Sequence, residues 1–267
     1  QDLPALLLEC VREAEFADRL PRFDALVVDE AQDHDTAFPD SLHEGDSTDG
    51  LGCGWWSIYF ALLREGTGAP IALFYDTAQR PPFRGRGGFD SRRIARQLSQ
   101  PAFARLPHAL RYTQPIYDFL QTLNSPGTEG LVAQLSEPDD LPEGPEVITV
   151  DLKEAGAGEV QAEVTRIVTS WVKDGYCLPE DVLILHTRTD LKAGVLGACE
   201  TIAGLPLVEY GSAAEENKKA IRHLSINRAK GLDALAVIMI GAEPFQKINK
   251  VDNQYTYFMG ASRAKQM

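Results

Sequence analysis

Two adjacent carboxylates, Asp29 and Glu30, end the run Phe23-Asp24-Ala25-Leu26-Val27-Val28. That run has the β-branched and aromatic character of a buried parallel strand. Open α/β folds bind ligands outside the carboxyl ends of such strands. A carboxylate placed there can hold Mg²⁺ through water, because Mg²⁺ prefers oxygen ligands and gives up its hydration shell reluctantly. The acid beside it can polarise an attacking water. Ala31, Gln32 and Asp33 follow directly, giving the string VVDEAQD. The plainer account of these acids is a solvated strand end that caps the next helix. The longer string is far more specific than a bare Asp-Glu pair.

The elements that must position these residues alternate between strand and helix. Residues 4–18 have helical periodicity, with Leu6, Leu7, Cys10, Val11 and Ala14 on one face. After the strand Phe23 to Val28, residues 34–54 are polar and rich in Gly, Asp and Ser, which predicts a loop. Helix is expected over Trp55 to Arg64 and a second buried strand over Ile71 to Tyr75. Residues 80–91 hold Pro, Gly and Arg in an irregular stretch. A short strand or crossover over Leu106 to Arg111 precedes a helix over Pro115 to Leu123. Residues 124–145, rich in Pro, Gly and acids, read as a surface connection. Strands are then expected at Val147 to Leu152, Val182 to His186, Leu205 to Glu209, Ile221 to Ile226 and Ala236 to Ile240. Helices are expected at Glu159 to Lys173, Leu191 to Ala203 and residues 253–265. This alternation predicts parallel sheets covered on both faces. Two such sets predict two α/β lobes, residues 1–105 and 106–267.

VVDEAQD resembles motif II, the Walker B box, of UvrD/Rep-type superfamily 1 helicases. The resemblance implies two RecA-like P-loop-NTPase lobes with parallel sheets, the first incomplete. It implies that Asp29 positions Mg²⁺ through water, that Glu30 beside it activates water, and that Gln32 and Asp33 couple lobes and nucleotide. Asp76-Thr77-Ala78-Gln79 resembles motif III, with Gln79 as the γ-phosphate sensor and Asp76 on the nucleotide side. An amide suits this task because it donates from one end and accepts from the other. Phe83 takes the place of the aromatic residue that stacks on bases of the single strand, a contact that needs no sequence preference.

Leu106 to Ile116 resembles motif IV and places Arg111 at the γ-phosphate, where a planar guanidinium can bond oxygens in pairs. Ala109 and Leu110 stand where the family has Asn and Tyr. Ser225 to Val237 resembles motif V. Gly231 permits a tight turn whose backbone N–H groups can meet phosphate, and Asp233 stands for the family's Glu at the ribose or γ-phosphate. Asn227, Arg228 and Lys230 are placed against the nucleic-acid backbone. Tyr255 to Lys265 resembles motif VI, with Arg263 as the arginine finger that offsets charge on the transferred phosphoryl group. Together the five motifs, in order, span residues 23–265. They imply ATP and Mg²⁺ as cofactors, single-stranded DNA or DNA junctions as partners, and translocation driven by ATP hydrolysis.

No G-x-x-x-x-G-K-[ST] occurs in the chain. In P-loop NTPases that loop cradles the β- and γ-phosphates. The expectation is therefore a fragment, inactive alone, whose P-loop lies in an upstream part of the same polypeptide. The second lobe is compact, without the family's large insertion. A different reading is a degenerate helicase-like module that binds nucleic acid or protein without ATPase activity. A metal-dependent nuclease using Asp29, Glu30 and Asp33 ranks lower, since two-metal sites draw carboxylates from several elements.

The 267 residues suffice for one large domain or two moderate ones. An apolar fraction of 44% is that of a globular chain able to build a core without metal or disulfide staples. The net charge of −13 argues against a protein that simply coats nucleic acid, but permits a motor holding one strand in a local groove. Arg80, Arg84, Arg86, Arg92, Arg93 and Arg96 crowd one segment. Cys10, Cys53, Cys177 and Cys199 have no C-x-x-C spacing, which disfavours zinc. Free thiols fit a reducing, cytoplasmic setting. No run approaches the ~18 apolar residues of a membrane span.

Overall fold

The computed structural model describes Leu7, Cys10, Glu13, residues 19–34, 55–76, 94–96, Leu98, residues 100–104, 111–123, 141–152, 155–186, Leu196, and residues 199–212, 219–241 and 250–267. The chain divides into two compact units, Gln1–Leu106 and Pro107–Met267. Both are mixed α/β with parallel strand pairing. No helix among the described residues is long and apolar enough to cross a membrane.

In the first unit, β1 (Leu26–Val28) pairs in parallel with β2 (Ile71–Leu73), Val28 standing opposite Leu73. Helix α1 (Trp55–Leu62) leads into Leu63, which bridges to Phe23. Val28, Ala31, Trp56, Phe60, Leu63 and Ile94 form the core of this unit.

The second unit is built on five strands in the order β4-β5-β6-β3-β7. Its strands are β3 (Val182–His186), β4 (Thr201–Ile202), β5 (Leu205–Glu209), β6 (Ile221–Ser225) and β7 (Ala236–Ile240). β5, β6, β3 and β7 are parallel, while β4 is antiparallel to β5. Every residue of β3 is buried. Its side chains alternate between faces, as a strand's geometry requires. Val182 and Ile184 enter one apolar cluster with Val160, Val164 and Val168. Leu183 and Leu185 enter another with Leu224, Ile226 and Met259.

The three valines belong to α3 (Ala157–Lys173), where spacing by four residues puts them on one stripe. Glu159 closes its start by accepting the Gly156 N–H at 2.8 Å. Gly175, at φ 76°, closes its end. There the Tyr176 N–H bonds the Trp171 carbonyl and the Gly175 N–H the Val172 carbonyl, a Schellman pattern. Met259 lies on α4 (Lys250–Ala261), and α2 (Gln114–Thr122) buries Ile116, Tyr117 and Leu120.

Three sequence expectations change. Val147 to Leu152 is not a strand. Val147, Ile148 and Val150 are exposed, and no described strand borders them to accept a ladder. Consecutive β-branched residues, Val147 to Val150, mimic a strand, but pairing needs a neighbour. The helix expected to reach Ala203 gives way to β4. Ala203 and Gly204, both at positive φ, form the two-residue turn that joins β4 to β5. The last helix begins at Lys250 and ends at Ala261, and residues 264–267 turn along β7 instead. Most of residues 4–18, and residues 35–54, 80–91, 105–110, 124–140 and 191–195, lie outside the described residues.

One polar pair sits within the second sheet. The rings of His186 and His223 are 5.9 Å apart, and His223 Nδ1 is buried without a hydrogen-bond partner. Burial, then the neighbouring His186, lower the His223 pKa below 6.5, and Glu209 opposes them. A lowered folded-state value means the unfolded chain binds more protons between that value and 6.5, so stability rises with pH there. Urea unfolding should therefore give a lower midpoint at pH 5.5 than at pH 7.5. Part of that difference should vanish in His223→Gln. An unchanged difference in the variant would show that this imidazole is not the group responsible.

Candidate functional site

In the first unit the ends of β1 and β2 are tied backbone to backbone. The Phe74 N–H donates to the Val28 carbonyl at 2.8 Å, and the Ala31 N–H donates to the Phe74 carbonyl at 2.9 Å. Between these bonds the chain carries Asp29 and Glu30. Glu30 has φ 50°, in the left-handed region that few non-glycine residues adopt. Such a conformation persists where the surroundings over-determine it, and here they do. Asp29 Oδ1 accepts the Glu30 N–H at 2.9 Å. The Gln32 side-chain amide donates to Glu30 Oε2 at 2.5 Å, and its carbonyl accepts the Asp76 N–H at 3.1 Å. Gln32 is buried, so both ends of its amide are used where water could not substitute. Expected members of motifs II and III are thus joined by one side chain. Asp33 ends the single turn Ala31–Asp33. Gln79 and Phe83 lie outside the described residues.

Asp29 is exposed at the strand end. Among the described residues no group of three or more His, Cys, Asp or Glu gathers as a metal cage. Mg²⁺ does not need one, since it commonly takes one or two carboxylates plus water and substrate phosphate. The Asp29–Glu30 donor set fits that ion.

In the second unit three separate segments meet at the start of β7. Arg111 donates from Nη1 to Asp233 Oδ1 at 2.5 Å, and Lys265 Nζ stands 3.4 Å from Asp233 Oδ2. Burial disfavours the Arg111 charge, but Tyr112 and Asp233 outweigh it, and the guanidinium is held above its ordinary value. Arg263 is adjacent and almost fully buried. Its Nε donates to the Met259 carbonyl at 3.0 Å, one Nη to the Leu232 carbonyl at 3.2 Å, and the other to Ser262 Oγ at 3.0 Å. Lys265 was given no part by sequence reasoning. Its signal was its place two residues after Arg263, on the stretch that runs beside β7.

The other candidate residues lie at the opposite end of the sheet, just beyond β6. Asn227 and Arg228 occupy the turn Ile226–Arg228, and Asn227 Oδ1 is buried without a hydrogen-bond partner. Exposed Arg228 forms an ion pair with Glu209. Lys230 is half-buried, and Gly231 adopts φ 78°, a conformation that favours glycine. Residues 226–235 therefore run from the carboxyl end of β6 to the amino end of β7. The strand they traverse has five residues, roughly 16 Å at ~3.3 Å per residue.

No model of a known family matches the chain, and no curated protein matches it.

The Arg111–Asp233 pair is only partly screened from water, with each side chain about one third exposed. A double-mutant cycle with Arg111→Ala and Asp233→Ala, read by urea unfolding, should give a coupling of about 1 kcal/mol. A coupling below ~0.3 kcal/mol, within the error usual for independent sites, would mean the contact does not tie these segments together.

Proposed function

We propose that this chain is part of the motor of a UvrD/Rep-type superfamily 1 helicase, coupling ATP hydrolysis to movement along single-stranded DNA. On this reading its two units are RecA-like lobes and the setting is cytoplasmic. The observation that carries it is the meeting of Arg111, Asp233, Arg263 and Lys265, drawn from three distant segments, at one end of the second sheet. Buried and half-buried guanidiniums beside a carboxylate suit a site that handles phosphate.

In the first unit Glu30 would orient the attacking water and take its proton, and Asp29 would hold Mg²⁺ through water. The ion, when bound with ATP, supplies charge neutralisation for the phosphates. Gln32 positions Glu30 and joins it to Asp76. In the second unit Arg111 and Arg263 offset charge on the γ-phosphoryl group, with Arg111 first leaving Asp233. Hydrolysis belongs to a polypeptide that also carries a phosphate-cradling loop, since this sequence contains none. Single-stranded DNA meets Asn227, Arg228 and Lys230, and the 226–235 segment carries the effect of that contact to Asp233.

A second reading draws on Arg263. Its donors bond groups of its own unit, which suits a structural arginine in a helicase-like binding module without ATPase activity.

DNA-stimulated ATP hydrolysis separates the two, and Lys230→Ala tests the DNA contact. In the longest natural form of the protein, ATP hydrolysis should rise strongly with single-stranded DNA. The variant should keep hydrolysis without DNA while losing most of the stimulation. Absence of ATP hydrolysis in the unaltered protein, with DNA binding retained, would favour the binding module.

A further inference from the structure

On one face of the second sheet the apolar lining stops before the strands do. Residues in register on neighbouring parallel strands share a face. Leu207, Ile221 and Ile184 lie on the face that packs against the valines of α3. Further along that same face the side chains turn polar. His223 stands in register with Ile184 on one side and Glu209 on the other, and His186 stands in register with Ser225. His186 and Ser225 are buried, and the two imidazoles are 5.9 Å apart. Arg222 alternates to the opposite face, where its guanidinium lies against the Tyr210 ring.

Two cations can therefore reach one carboxylate. Arg228, from the turn after β6, forms an ion pair with Glu209, and both side chains are more than half exposed. An ion pair so open to water is weak, so a second cation can compete for the acid. His223 is that second cation when protonated. Its Nδ1 is buried without a partner, and a protonated imidazole donates from both nitrogens and needs an acceptor for each. The charges acting on it are His186, which opposes a proton, and Glu209, which favours one. From α3 it meets the valine stripe, and the thiols of Cys177 and Cys199 in that apolar cluster are pushed up by burial and stay neutral.

We propose that His223 and Arg228 compete for Glu209: as the pH falls, protonated His223 takes the carboxylate, Arg228 is released to solvent, and the carboxyl end of β6 binds the phosphates of single-stranded DNA more tightly. Linkage makes the effect reciprocal, so DNA bound at Arg228 favours the proton on His223. The DNA part rests on the reading above that places Arg228 against the nucleic-acid backbone. The exchange at Glu209 rests on the sheet alone.

NMR titration of the histidine rings of the full chain, from about pH 5 to about pH 8, tests the exchange without a ligand. Arg228→Ala, which leaves Glu209 to His223, should raise the His223 midpoint by about half a pH unit, and Glu209→Gln should lower it by about as much. Added to Glu209→Gln, Arg228→Ala should have less than half its effect, since no carboxylate remains to share. An unmoved midpoint, or an equal effect of Arg228→Ala in both backgrounds, overturns the exchange. Fluorescence anisotropy with oligothymidylate at constant salt reads the regulation. Between about pH 7.5 and about pH 5.5 the affinity of the unaltered chain should rise about threefold more than that of His223→Gln. If that variant fails to fold, His186→Gln replaces it, and the His223 midpoint and the rise in affinity should both move to higher pH. An unaltered pH dependence in the variant overturns the regulation and leaves the DNA reading standing. No oligothymidylate binding at any pH, with the exchange intact by NMR, overturns the DNA reading and leaves the exchange alone.

Discussion

Burial of β3 on both faces decides where polar chemistry can stand in the second unit. Val182 and Ile184 face α3, and Leu183 and Leu185 face the cluster containing Met259. A charge placed along that strand would lose its water without compensation, at a cost of several kcal/mol. Charged groups of this unit that could meet a ligand are therefore displaced to the strand ends. Asp233 and Lys265 lie at the start of β7, and Arg228 and Glu209 lie beyond β6 and at the end of β5. The 226–235 segment joins the two ends because β6 and β7 are parallel on either side of β3, so the chain must travel back along the sheet between them. A change at Arg228 or Lys230 has a short covalent path to the carboxylate that holds Arg111.

The first unit solves a related problem with one amide. Two parallel strands leave the chain reversals after β1 and β2 side by side, and Gln32 fills the space between them. A carboxylate in its place could not donate to Glu30, and a lysine could not accept from Asp76. On the proposed reading this tie makes the position of the water-activating acid depend on the segment after β2. Strain at Glu30 is consistent with a side chain aimed by its surroundings.

Much of this was legible in the sequence, for identifiable reasons. The apolar runs at Val182 to His186 and Ala236 to Ile240 became strands because short apolar stretches of that length, with Val and Ile among them, suit a buried parallel sheet. The stripe Val160, Val164, Val168 specified α3 in the same way. Val147 to Val150 misled because local pattern cannot report whether a neighbouring strand exists. The turn at Ala203-Gly204 was missed because an alanine at positive φ leaves no mark in composition. Among candidate residues, Asp29, Glu30, Arg111, Asp233 and Arg263 could be singled out in the sequence. Which of them would touch could not be read there. The sharing of Asp233 by Arg111 and Lys265 depends on a contact between Arg111 and Asp233, 122 positions apart in the chain, as well as on the nearer Lys265. The burial of Arg263 likewise involves the Leu232 carbonyl, 31 positions away, besides its local bonds to Met259 and Ser262.

The account turns on Glu30 being the acid that activates water for ATP hydrolysis. The most direct measurement is the rate of ATP hydrolysis by the longest natural form, with saturating single-stranded DNA, beside Glu30→Gln. The substitution keeps the size of the side chain and a carbonyl oxygen able to accept from Gln32, and it removes the base. A fall of about 10²-fold or more, with ATP still bound, is the predicted result and matches the usual contribution of a general base. Hydrolysis undiminished in Glu30→Gln would contradict the assignment and with it the central claim.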